Sequence, residues 1–199
     1  MHDDGIFVAQ LMTLEPMLEK NDLGNLCHEH LEFYTYSSLV YLFEQSGLEI
    51  YKVTENETNG GSYRIFARKF KNGSISYTQK IDYKKIDEFK TRLDKIGHEL
   101  RQLLLGLSQE GKSVQVLGAS TKGNCILQYF NINNTIIPFA SERSPEKYGL
   151  YTVGSGLKII SEADSRSQNP DYYLILPWAF KDEIVRREGV FRLEGGKFI

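Results

Sequence analysis

Apolar and polar residues follow more than one rhythm along this chain. "GIFVAQLM", from residue 5, is an apolar run of strand length with almost nothing before it to pair or cap it, so the chain reads as starting inside a strand. From Thr35 to Gly47 (TYSSLVYLFEQSG) the period becomes helical. Small polar residues cap the start, Leu39, Leu42 and Phe43 share a face, and Gly47 stops it. "LEIYKVTEN" and "GSYRIFARKF" then alternate in the rhythm of half-buried strands around a loop with Asn59, Gly60 and Gly61, which predicts an antiparallel pair. The opening third therefore reads strand, loop, helix, strand, strand.

From Ile86 to Gly111, Phe89, Leu93, Ile96, Leu100, Leu103, Leu104 and Leu107 recur at helical spacing and predict a long amphipathic connector. Beyond it strand and helix alternate: "SVQVLGAS", "TIIPFASER", "GLKIIS", "DYYLILPWAF" and "GKFI" read as strands, with helices at "TKGNCILQYFNI" and "KDEIVRREGVFRLEG". Short apolar strands separated by helices imply right-handed crossovers and a parallel sheet. The expected fold class is α/β, a Rossmann-like parallel sheet flanked by helices in the C-terminal half. A boundary is expected near residues 72–85, at Asn72 and Gly73, giving segments 1–78, 79–111 and 112–199.

Composition narrows the partners. With 41% hydrophobic and 25% charged residues over 199 positions the chain is of ordinary globular make-up, and a net charge of −2 argues against nucleic acid. The basic interval Arg68 to Arg101 is interrupted by Asp82, Asp87, Glu88, Asp94 and Glu99 and reads as a solvated face. Cys27 and Cys125 suit neither a disulfide framework nor a thiolate zinc site. No apolar run of about 18 residues and no signal-peptide layout is present, so no membrane partner and a cytoplasmic location are expected.

Candidate chemistry gathers at three places. In "VLGASTKGN", Gly118 and Gly123 bracket a strand-to-helix turn, with Ser120, Thr121, Lys122 and Asn124 as polar groups around an anion-facing helix start. It matches neither the dinucleotide fingerprint nor the P-loop. Glu142 in "FASER" lies about 20 residues on, where a dinucleotide fold sets an acid on a ribose hydroxyl; the alternative is an ordinary turn with Glu142 in a surface ion pair. Trp178, in "LPWAF", falls on the same rim or closes the domain. In "NLCHEHLEFY", His28 and His30 share a face only on a strand and lack the H-E-x-x-H spacing. No metal is expected, and a histidine base flanked by a carboxylate fits better. His98 stands beside the connector's apolar stripe with no ligand types near it in sequence, a solvated or structural position.

These stretches in this order resemble the C-terminal part of the S-adenosylmethionine-dependent C-methyltransferases that act on nucleotide-linked keto-deoxysugars. The resemblance covers "GIFVAQLM…CHEHLEFYTYSSLVYLFEQSGLEIYKV", "NGGSYRIFAR", "GASTKGN" and "PDYYLILPWAFKDEI…GGKFI", nearly the whole chain. It implies that residues 1–78 are the last strands and helix of a class I methyltransferase sheet and that 112–199 form a Rossmann-like substrate-binding domain. The zinc-binding module and the glycine-rich loop for S-adenosylmethionine are expected before residue 1, so the chain alone is expected to be inactive. By resemblance, His30 is the base that removes the proton alpha to the sugar ketone, Glu29 stands beside it and His28 supports it. Asn59, Gly60, Gly61, Ser62 and Arg64 belong to a substrate loop, and Ser120, Lys122, Gly123, Asn124 and Glu142 contact the nucleotide. Cys27 stands where such enzymes commonly carry tyrosine, and Ala179 where they often carry Asn or His. The expected partners are a nucleotide-linked sugar and a separate methyltransferase part or a second copy. The alternatives are a non-catalytic nucleotide-sugar module and, behind it, a nicotinamide-dependent dehydrogenase.

Overall fold

A computed structural model describes residues 1–58, 61–70 and 81–199. They group into two compact units: Met1–Asp22 with His28–Thr91, and Leu23–Cys27 with Arg92–Ile199.

The first unit contains β1 (Ile6–Leu11), α1 (Leu14–Glu19), α2 (Tyr36–Gln45), β2 (Leu48–Asn56) and β3 (Ser62–Lys69). Its sheet is antiparallel in the order β1-β3-β2, with Ala9 and Val53 flanking Ile65. Strand alternation puts Ile65 and Ala67 on one face, where Leu39 and Phe43 of α2 cover them. Phe7 joins this core edge-to-face with Phe43, ring centres 5.8 Å apart. Helix α2 starts where capping chemistry dictates. The Thr35 hydroxyl accepts the Ser38 N–H and the Ser38 hydroxyl accepts the Thr35 N–H, a reciprocal capping box.

Two elements differ from expectation here. The stretch between β1 and α2 holds α1, buried through Pro16, Met17 and Leu18, and a 3-10 turn at Leu23–Asn25. Both are too short for a periodic pattern to show. The predicted boundary at Asn72 and Gly73 lies outside the described residues.

Helix α3 (Tyr83–Gln109) contributes to both units, the division falling between Thr91 and Arg92. Its buried face follows the predicted stripe at Phe89, Leu93, Leu104 and Leu107, while Ile96 and Leu103 are exposed. The Phe130 ring lies so close over Gly97 that any Cβ there would clash, so this glycine belongs to the buried face as well.

The second unit carries β4 (Val114–Leu117), α4 (Thr121–Tyr129), β5 (Phe139–Glu142), β6 (Lys158–Ser161), α5 (Glu162–Ser167), β7 (Tyr172–Ile175), α6 (Lys181–Arg187), α7 (Gly189–Leu193) and β8 (Lys197–Phe198). These form a parallel five-stranded sheet in the order β6-β5-β4-β7-β8 flanked by helices, the expected α/β class. At the start of β4 and β7, Asp171 accepts hydrogen bonds from the Ser113 N–H at 2.8 Å and from Lys112 at 3.1 Å, locking the register of the central pair. Chain order reverses between β4 and β7, so a crevice opens at their carboxyl ends.

Two sequence expectations are corrected in this unit. The strand expected over "TIIPFASER" spans only Phe139–Glu142, because Ile136 and Ile137 donate back to Asn133 in a turn. The single helix expected over "KDEIVRREGVFRLEG" breaks at Glu188, whose backbone leaves helical geometry while its carboxylate is buried on two arginines. Among the described residues no helix is long and apolar enough to cross a membrane.

Candidate functional site

At the reversal point, the ends of β4, β5 and β7 enclose a cavity of about 290 Å³. Leu117, Pro177, Phe180 and Ile184 supply its apolar wall. Gly118, Ser120, Glu142 and Arg143 line it from the ends of β4 and β5, and Glu162, Glu183 and Arg187 from α5 and α6.

The "GASTKGN" turn is built for close approach. Gly118 has φ +96, a conformation that glycine adopts without strain, and its N–H donates to the Ser141 carbonyl at 2.9 Å. The Ser120 hydroxyl caps α4 by accepting the Gly123 N–H at 3.0 Å. Gly123 is required where α4 crosses the segment after β7: a Cβ there would stand 3.0 Å from Leu176 Cβ.

Glu142 is a structural tie in this turn. Its carboxylate accepts hydrogen bonds from the N–H groups of Ala119 at 3.1 Å, Arg143 at 2.8 Å and Ser144 at 3.1 Å, and from Lys147 at 3.4 Å. Those bonds fill the acceptor positions of a carboxylate. Burial opposes its ionisation, but the Ser144 and Arg143 N–H groups and the Lys147 charge outweigh it and hold the carboxyl below the usual range.

The remaining residues expected here lie off the cavity lining. Lys122 packs where Gly24 passes: a Cβ on Gly24 would come within 2.9 Å of Lys122 Cβ. Asn124 accepts a hydrogen bond from the Ser155 hydroxyl at 3.3 Å. Trp178 is partly exposed in a 3-10 turn after β7.

Glu162 and Arg187 of the cavity wall belong to an ion-pair ring that local sequence does not announce. Arg166 donates to both oxygens of Glu188, at 2.9 and 2.7 Å, and Arg187 donates to Glu188 at 3.1 Å. Glu162 closes the ring, accepting from Arg166 at 3.0 Å and Arg187 at 2.7 Å. The one signal for these residues was position: Arg143, Glu162 and the run Phe180 to Arg187 all follow strand ends on the crevice side.

In the first unit, His28 and Glu29 are exposed in a turn, and His30 is half-buried with its ring edge-to-face to Phe33 at 6.4 Å between centres. Cys27, by contrast, is buried and groups with the second unit. Gly61 has φ +134, and a Cβ there would press on Pro16 and Lys20. The Ser62 hydroxyl donates to the Thr58 carbonyl at 2.9 Å, and Arg64 donates to Gln10 at 2.9 Å. Asn59 and Gly60 lie outside the described residues. No group of three or more His, Cys, Asp and Glu side chains among the described residues is placed to hold a metal ion. S-adenosylmethionine also has no fit there. The described strands of this unit are antiparallel, and β1 leads into α1 through Met12 and Thr13 without a glycine turn to cradle a nucleoside cofactor.

Comparison with known proteins agrees with this architecture. Residues 57–199 match the family model described as the C-methyltransferase C-terminal domain. The chain is also similar to C-methyltransferase NovU of Streptomyces niveus, with 30% identity over 211 aligned residues that cover 98% of this chain and 50% of that protein. It thus spans about half the length of that curated relative. The cavity-bearing parallel sheet lies wholly within the matched residues, and the chain belongs to the C-methyltransferase family, residues 57–199 being the C-terminal domain.

Proposed function

We propose that this chain is the substrate-handling portion of a C-methyltransferase acting on a nucleotide-linked keto-sugar or a related carbonyl compound. The observation that supports it most is the cavity at the sheet's reversal point, with an apolar wall for a nucleobase and polar groups from the ends of successive strands. In this reading the second unit holds the nucleotide and the first supplies His30 as the base. A neutral imidazole would take up the proton alpha to the ketone, leaving an enolate whose carbon is the nucleophile. Glu29 and His28 flank that base. S-adenosylmethionine, the donor implied by resemblance, would supply the methyl group from its sulfonium and leave as the thioether; in this reading the chain alone transfers no methyl group.

His30→Asn in the complete enzyme tests the base. Methyl transfer should be abolished while nucleotide binding stays nearly intact, and turnover surviving within about tenfold would reduce His30 to a supporting role. For the cofactor, calorimetry on the 199-residue chain should show no S-adenosylmethionine binding. Micromolar affinity would contradict the assignment.

A further inference from the structure

The charges on the cavity wall sort into spent and unspent groups. Glu142 is saturated by its four donors, and Glu162 and Arg187 are neutralised inside the ring with Arg166 and Glu188. Arg143 and Glu183 are different. Both line the cavity, both are exposed, and neither makes an ion pair among the described residues, with each other or with a neighbour. They enter from separate elements, Arg143 directly after β5 and Glu183 on α6, so the cavity carries one unspent cation and one unspent anion. Phe180, half exposed, adds an aromatic surface on the α6 side.

Position divides a nucleotide between these groups. The apolar wall of Leu117, Pro177, Phe180 and Ile184 suits a base, and the exposed Arg143 and Glu183 stand where its polar parts meet solvent. We infer, on the reading that this cavity holds the nucleotide, that Arg143 binds the diphosphate and Glu183 accepts a hydrogen bond from the nucleoside, whose base lies against Phe180. The ribose-reading acid is then Glu183 rather than Glu142, whose acceptor positions are taken. The phosphate cation is Arg143 rather than Lys122, which lies off the cavity lining. A guanidinium meets phosphate oxygens with paired donors, and a free carboxylate accepts from hydroxyl or ring N–H groups.

Calorimetry with thymidine diphosphate and with thymidine tests this on the unmodified chain, Arg143→Gln and Glu183→Gln. Both sites are exposed, so each variant should keep the parent's circular dichroism and melting behaviour. Arg143→Gln should weaken the diphosphate by about tenfold or more and leave thymidine unchanged; Arg143→Lys should recover part of the loss. Glu183→Gln should weaken both ligands by a similar factor. Equal losses for both ligands in Arg143→Gln, or no loss in either variant, would overturn the orientation while leaving the cavity a nucleotide site. If the unmodified chain binds neither ligand, the nucleotide reading itself falls.

Discussion

Glu188 is 3% exposed, yet it is ionised, because Arg166 and Arg187 surround its carboxylate. Burial pushes its pKa up, and the hydrogen bonds and charge of Arg166, followed by those of Arg187, bring it below the ordinary carboxylate value. Removing that charge leaves Arg166 and Arg187 on Glu162 alone and costs Glu188 its hydrogen bonds, so Glu188→Gln should lower stability by about 1–3 kcal/mol, measured by urea denaturation. The same groups govern acid stability. Glu188 and Glu142 have folded pKa values lowered from 4.5, and Asp171 is lowered to about 2 by the Ser113 N–H and Lys112. In acid the unfolded chain takes up protons first, so their contribution is full above the ordinary carboxylate range and fades as pH falls through the lower folded values. Acid titration followed by circular dichroism should show unfolding set in below about pH 4, and in Glu142→Gln over a shallower pH dependence than in the parent.

At the scale of elements, the polar cap of α2 and the long apolar stripe of α3 both carry through to the structure. The capping box at Thr35 set the start of α2 as read, and Thr35→Ala should lower stability by about 1 kcal/mol, within a range of about 0.5–2, by thermal melting. The α3 stripe is buried at Phe89, Leu93, Leu104 and Leu107 as its period predicts, but Gly97, which admits the Phe130 ring, carries no hydrophobic signal of its own. The same holds at Gly123, where a Cβ would press on Leu176 at 3.0 Å. Gly123→Ala should cost about 1–3 kcal/mol by overpacking α4 against the segment after β7, and should weaken thymidine diphosphate by moving the turn that lines the cavity.

For the molecule as a whole, the two units divide the proposed work, the base in one and the nucleotide cavity in the other. Thymidine diphosphate at about 100 times its dissociation constant should therefore stabilise the chain by about 2.7 kcal/mol, and His30→Asn should retain that gain in a thermal-shift assay. Loss of the gain in His30→Asn would show that the division is wrong. Sequence by itself determined the longer elements in their order, the antiparallel and parallel halves, the capped start of α2 and the glycine turn after β4, because each depends on residues a few positions apart. Tertiary structure alone decided that Phe130 packs over Gly97 of α3, that residues 23–27 group with the second unit, and which carboxylates at the cavity are spent. Those outcomes turn on partners tens of residues away, such as Phe130 over Gly97 or Arg166 on Glu188, and no local period encodes which side chain a returning strand or helix will meet.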